Sequence, residues 1–250
     1  MSPQNKLDGK VALVTGAARR VGAAIATRLH ANGANVAIHY RGSADDANEL
    51  ANRLNTVRPD SAAIYQADLK LTQALPDLIA AVVEQFSRLD VLVNNASSFY
   101  PTPAGEITET DWDDLMSINL KVPLFLSQAA LPELRARHGV IINIVDIHAQ
   151  RPLENHAVYG SAKAGLAMLT RSLARDLAPE VRVNGVAPGA ILWPENDMSD
   201  SVEQTILRQI PLARAGSPDD IAGCVLYLVQ DADYVTGQII AVDGGRSSNW

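Results

Sequence analysis

Tyr159 and Lys163 stand four residues apart in the run Tyr159-Gly160-Ser161-Ala162-Lys163. Side chains at i and i+4 share a helix face. If the apolar-periodic stretch from Ala157 to Leu177 is a helix, a phenol and an ammonium therefore converge on one small volume. A free tyrosine titrates near pH ~10 and a neighbouring cation favours the phenolate, so such a pair can exchange a proton with a bound molecule near neutral pH. A Tyr and a Lys at this spacing also occur on ordinary helices. The pair takes its meaning from the company it keeps in the chain.

The elements that would hold the pair alternate. The run Lys10-Val11-Ala12-Leu13-Val14 reads as a strand ended by Thr15-Gly16. A helical pattern follows from Val21 to Asn32, stopped by Gly33, and Asn35-Val36-Ala37-Ile38-His39-Tyr40 reads as a second strand. A βαβ unit of this length suits a dinucleotide-binding half. Gly16 permits a tight turn, Gly22 lets the helix approach the sheet, and the amides at the helix start offer an anion site. After the second strand an NAD-preferring fold carries an acidic residue for the ribose hydroxyl, whereas this chain has Tyr40-Arg41-Gly42-Ser43, which suits a 2′-phosphate.

The alternation continues through a helix at 44–57, a strand at 62–66 leading to Asp68 and Leu69, a helix at 75–88 and a strand at 91–93 that opens into Asn94-Asn95-Ala96-Ser97. A long helical pattern from Trp112 to Arg137 bears Asn119 and is expected to break at Pro123 and Pro132. Beyond it come a strand at 140–145, Asp146, the Tyr159 helix, a strand at 181–186, and Pro188-Gly189. A loop with Trp193, helices before and after Pro218 and a strand at 238–242 complete the chain. The expected architecture is α/β: one Rossmann-type doubly wound domain spanning 1–250, with seven parallel strands and helices on both faces.

At 250 residues and 47% hydrophobic content the chain can bury a large core, and charged residues interrupt every long apolar run, so no membrane span is expected. A formal charge of -7 without a basic stripe points away from nucleic acid and towards a small ligand. The single Cys224 lies in an apolar pattern that suits a buried structural thiol, and the N-terminus carries no apolar signal stretch, so a cytoplasmic location is expected. No metal is expected. His148 and His156 flank the Asp146–Tyr159 region without partner spacing and read as surface residues.

Taken together, the spaced glycines Gly16 and Gly22, Asn94-Asn95-Ala96, Asn119, a polar residue after the fifth strand, Tyr159xxxLys163 and Pro188-Gly189 resemble the short-chain dehydrogenase/reductase family over essentially the whole chain. Within it, TGAARRVG, HYRGSADDAN, NNASSFYPTP, VDIHAQ and LAPEVRVNGVAPG resemble pteridine reductases, with dihydromonapterin reductases as near relatives. The resemblance implies NADPH/NADP+ as cofactor, a pterin or folate substrate and a homotetramer, with Trp250 near a neighbouring active site.

It also implies roles. Asn119, Asp146, Tyr159 and Lys163 would be catalytic, with Tyr159 the proton donor, Lys163 holding the ribose and lowering the phenol's pKa, Asn119 anchoring a water relay, and Asp146 standing where most of the family has Ser. Gly16, Arg20 and Val21 would form the phosphate turn, Arg20 occupying a position usually held by glycine. Tyr40, Arg41 and Ser43 would read the 2′-phosphate, Asp68 and Leu69 the adenine, and Asn95 and Ala96 the ribose, while Ser97 would bond both cofactor and substrate. Pro188, Gly189 and Ile191 would flank the nicotinamide, although Ala190-Ile191-Leu192-Trp193 lacks the Thr many relatives carry. Arg20, Ser97, Phe99, Asp146 and Tyr159 would contact substrate, Phe99 by stacking. Two other readings stand beside this one: reduction of a 3-oxoacyl or other carbonyl compound, and a non-catalytic NADP(H)-binding regulator.

Overall fold

A computed structural model describes residues 6–191 and 200–248. Its elements run β1 (Val11–Val14), α1 (Arg20–Ala31), β2 (Asn35–Tyr40), α2 (Ala44–Val57), β3 (Ala62–Gln66), α3 (Leu75–Phe86), β4 (Val91–Asn94), α4 (Glu109–Met116), α5 (Val122–Ala136), β5 (Val140–Ile144), α6 (Ala157–Asp176), β6 (Arg182–Pro188), α7 (Asp200–Arg208), α8 (Pro218–Gln230) and β7 (Ile239–Val242). The strands form one seven-stranded parallel sheet in the order β3-β2-β1-β4-β5-β6-β7. This is the Rossmann-type arrangement expected from the alternation.

Strands β1, β4 and β5 are apolar at nearly every position because helices cover both faces of the sheet. Ile25, Leu50 and Leu228 of α1, α2 and α8 pack on one face, and Leu78, Leu126 and Ala174 of α3, α5 and α6 on the other. The strand order reverses between β1 and β4, and such a reversal opens a crevice at the strands' carboxyl ends where ligands bind. The turn after β1 and the segment after β4 meet there.

The long pattern over Trp112–Arg137 resolves differently from its expectation. Helix α4 starts earlier, at Glu109, because Thr108 and Asp111 form a reciprocal capping box. A π-turn over Ser117–Lys121 then separates it from α5. Pro123 sits in the first turn of α5, where its missing N–H costs nothing, and α5 runs through Pro132 without stopping. An interior proline costs ~3 kcal/mol. Leu126, Ala130 and Leu134 are fully buried on the same helix, and two buried leucines alone return about that much. Asn119 falls in the π-turn, whose wider winding displaces it from regular helix register.

A polar thread fixes α6 on the sheet: Asn94 Nδ2 donates to Asn143 Oδ1 at 2.8 Å, and Asn143 Nδ2 donates to Thr170 Oγ at 2.9 Å. All three residues are buried, so the bonds specify one register of α6 against β4 and β5. Among the described residues no helix is long and apolar enough to cross a membrane. Trp193 and Trp250 lie outside the described residues.

Candidate active site

The turn after β1 is built from mutual bonds. Gly16 has φ +61°, a left-handed conformation that glycine adopts at no steric cost. Thr15 Oγ accepts the N–H groups of Asn95 and Ala96 at 2.9 and 3.0 Å, and Asn95 Nδ2 donates to the carbonyls of Thr15 and Gly16. The loop after β4 is thereby stapled to the turn. Gly22 must be glycine, since a Cβ there would lie 2.4 Å from the Gly16 oxygen and 2.7 Å from Asn95 Nδ2.

His39 completes the staple and was not foreseen as a site residue. Its Nδ1 accepts the Gly16 N–H at 3.1 Å, which leaves Nε2 to carry the proton and donate to the Ala67 carbonyl at 3.1 Å. One imidazole thus joins the glycine turn to the segment that presents Asp68. Burial pushes His39 down to about 4, against the opposing pull of the Ala67 carbonyl and the Asp68 charge, so the ring is neutral at physiological pH. The signal available in the sequence was a lone polar residue inside an otherwise apolar strand.

All the residues expected to contact the dinucleotide, from Gly16 and Arg20 to Gly189 and Ile191, line one cleft of about 620 Å³ at the sheet reversal. Ser43, Arg41 and Tyr40 stand at one end and Tyr159, Lys163 and Asp146 at the other. Arg20 has φ +51°, so a non-glycine residue adopts the left-handed conformation that glycine would take there without strain. Asn119 and Phe99 do not line the cleft; Phe99 stands at its rim, 56% exposed, with its ring edge-on to Tyr159.

At the inner end the Tyr159 hydroxyl donates to Asp146 Oδ2 at 2.8 Å. The other carboxylate oxygen accepts the His148 backbone N–H at 2.8 Å, which fixes the carboxylate at the start of a short 3₁₀ turn. Lys163 is buried, its Nζ donating to the Ile144 carbonyl at 2.8 Å and lying 5.7 Å from the Tyr159 ring centroid. The electrostatics depart from the expectation that Lys163 lowers the phenol. Burial, then the Asp146 charge and its hydrogen bond, hold Tyr159 well above the ordinary tyrosine value. Burial also pushes Lys163 down to about 8, opposed by Asp146, so the cation is itself weakened. The phenol keeps its proton and stands as a donor.

Asn119 uses both amide hydrogens, donating to the carbonyls of Ser98 at 3.0 Å and Leu115 at 2.9 Å, while its buried Oδ1 has no protein partner. His148, also read as a surface residue, is half-buried, with its backbone N–H on Asp146 and its Nδ1 3.0 Å from the Arg151 carbonyl. His156, read as a surface residue, is instead half-buried with its ring stacked on Phe99. Cys224 is half-buried, and burial pushes its thiol up to about 11, as suits a structural cysteine.

A parallel sheet whose strand order reverses over a glycine turn is the arrangement in which α/β folds bind ligands, here with a Tyr-Lys pair at one end of the cleft. The family model described as enoyl-(acyl carrier protein) reductase matches residues 16–247. Pteridine reductase 1 of Leishmania tarentolae is 40% identical over 278 residues, covering 95% of this chain and 96% of that protein. The 3-oxoacyl-[acyl-carrier-protein] reductase FabG of Staphylococcus aureus is 42% identical over 240 residues, covering 94% and 97%. An uncharacterized oxidoreductase of Methylorubrum extorquens is 37% identical over 247 residues, covering 96% and 99%. The chain belongs to the short-chain dehydrogenase/reductase family, with pteridine reductase among its relatives. It is an oxidoreductase of that family.

Proposed function

We propose that this protein is an NADPH-dependent reductase of pterins, acting on a dihydrobiopterin-, dihydromonapterin- or dihydrofolate-like ring. The observation that carries the reading is the 2.8 Å bond from the Tyr159 hydroxyl to Asp146. A carboxylate joined to the proton-bearing phenol can accept ring N–H and amino groups as well as position the donor, which a serine hydroxyl in its place would do only weakly. The cleft's size, its Gly16 turn and the Arg41 and Ser43 side chains suit a dinucleotide with a 2′-phosphate.

Bound NADPH supplies the hydride. With that hydride going to the carbon of a ring C=N bond, Tyr159 would give its proton to the nitrogen, leaving a saturated C–N bond. Asp146 orients the phenol and holds the ring, Lys163 supports the sugar side, and Asn119 Oδ1 anchors the route by which Tyr159 is reprotonated. Arg20 and Ser97 hold the substrate's polar edge and Phe99 its face. Exposed Trp112, Phe125 and Met168 on α4, α5 and α6 support assembly into a homotetramer.

The second reading is 3-oxoacyl reduction, favoured by the FabG relative at similar identity. The same acid would then serve a carbonyl. Loss of NADPH absorbance on adding dihydrobiopterin, compared in parallel with a 3-oxoacyl thioester, tests both. Turnover of the thioester alone would overturn the pterin reading.

A further inference from the structure

The ring of Phe99 is a large apolar group left 56% exposed on a loop, and on that account alone it would turn freely. Two contacts hold it instead. His156 stacks on it with centroids 4.6 Å apart and planes 17° from parallel, and Tyr159 meets it edge-on at 4.9 Å and 79°. One face of Phe99 is covered by the imidazole, so the exposed area lies on the other side.

His156 is itself tied down. It is the residue before α6, and its carbonyl accepts the Gly160 N–H at 2.9 Å, so it lies one helical turn from Tyr159 and moves with it. Its Nδ1 lies 2.6 Å from the Glu154 carbonyl, an atom that can only accept, so Nδ1 carries the hydrogen. In the neutral ring Nε2 is then a lone pair, and it is buried without a protein partner. The imidazole therefore presents a flat face to Phe99. A parallel bridge between Thr102 and His156, with the Thr102 N–H donating to the Asn155 carbonyl, joins the Phe99 loop to the His156 loop.

We infer that His156 is a positioning residue that holds Phe99 as a rigid wall beside Tyr159, and that this wall selects a flat ring over a flexible chain. The inference deepens the pterin reading and rests on it for the choice of substrate. Nothing in it requires His156 to gain or lose a proton. An aromatic pair of this geometry is worth a factor of up to about tenfold in holding the ring in place.

The test has two arms. In the kinetic arm, His156→Ala should raise KM for dihydrobiopterin about tenfold with kcat changed by less than about threefold, leave KM for NADPH unchanged, and be rescued by His156→Phe, which keeps a stacking face. An unchanged KM in His156→Ala, or equal damage in His156→Phe, would overturn the inference. The second arm needs no substrate. The chain has three phenylalanines, so labelling with 4-fluorophenylalanine gives three fluorine resonances, and Phe99→Leu identifies the one from Phe99. That resonance should move and sharpen in His156→Ala while those of Phe86 and Phe125 stay in place, which also reports an intact fold; an unmoved Phe99 resonance would overturn the inference. If the wild-type protein fails to turn over dihydrobiopterin, the pterin reading falls on its own, and the fluorine arm decides the role of His156.

Discussion

The Tyr159 hydroxyl and Asp146 Oδ2 are 2.8 Å apart and share a single proton, which the phenol holds. Burial and the carboxylate's charge both disfavour phenolate, so at neutral pH the pair is a protonated acid beside an orienting acceptor. A reductase needs that state, because the ring or carbonyl gains a proton together with hydride.

Replacing Asp146 by Ser should separate the two substrate readings. Acid–base partners typically contribute about 10²–10⁴-fold, so kcat for dihydrobiopterin should drop by at least about a hundredfold in Asp146→Ser while KM changes less. Reduction of a simple carbonyl should be kept. The loss should fall on kcat at every pH, because Asp146 orients the phenol through the 2.8 Å bond. Wild-type pterin kinetics at every pH would make Asp146 structural.

Lys163 should set the alkaline limb of activity. Its ammonium is pushed down to about 8 by burial, so the cation is present below that pH and lost above it. The profile of kcat/KM, which reports the free enzyme, should therefore decline above about pH 8. Lys163→Arg keeps a charge at every accessible pH and should remove the decline, at a lower plateau because a guanidinium does not fit the bond to the Ile144 carbonyl. A flat profile through pH 10 in the wild-type protein would dismiss the assignment.

Much of this was legible in the chain because it depends on local pattern. Alternating apolar runs specified seven parallel strands, and residue spacing specified the shared face of Tyr159 and Lys163. What escaped depends on distant atoms. The His39 bond to Gly16 joins residues 23 positions apart, and only the β1–β2 register brings them together. The direction of the Tyr159 shift escaped for the same reason, since burial is a property of the packed site. Pro132 signals a break by local propensity, but the buried stripe of Leu126, Ala130 and Leu134 on α5 outweighs it. His156 reads as a surface residue because its partner, Phe99, follows β4 and is far away in the chain, brought near by the pairing of β4 with β5.

Arg41 should determine cofactor choice. It is exposed at the end of the cleft, after β2, and no carboxylate occupies the position that would bond a free ribose hydroxyl. Arg41→Asp should raise KM for NADPH by about ten- to a hundredfold, the range of a lost charge-assisted bond, and improve use of NADH. Equal efficiency with both cofactors in the wild-type protein would remove Arg41 from this role.

Arg20 should trade stability for binding. Its φ of +51° carries roughly 1 kcal/mol of strain that glycine would not, although glycine gives some of that back through a freer unfolded chain. Arg20→Gly should therefore melt at the same temperature or slightly higher while KM for NADPH and for substrate both rise. A clear loss of stability would show that the Arg20 side chain supports the fold itself.

His39 should make the fold acid-sensitive over a defined window. Its ordinary value is 6.5 and the folded protein lowers it to about 4, because protonation would place a charge in a buried site and destroy the acceptor that holds the Gly16 N–H. Above pH 6.5 neither state carries the proton and the contribution is complete. Between 6.5 and 4 the unfolded chain takes up a proton the folded one refuses, so stability falls as pH falls. At ~1.4 kcal/mol per pKa unit the loss is roughly 3 kcal/mol at the lower end. His30, bonded to Ser61 Oγ at 2.7 Å and also lowered to about 4 by burial and by Arg58, acts in the same window. His39→Gln should thus remove only about half of the acid slope measured by thermal melting, and it should also raise KM for NADPH, since the Gly16 amide loses its fixed partner. If His39→Gln and the wild-type protein lost stability in parallel from pH 6.5 to 4, the slope would have to come from other groups.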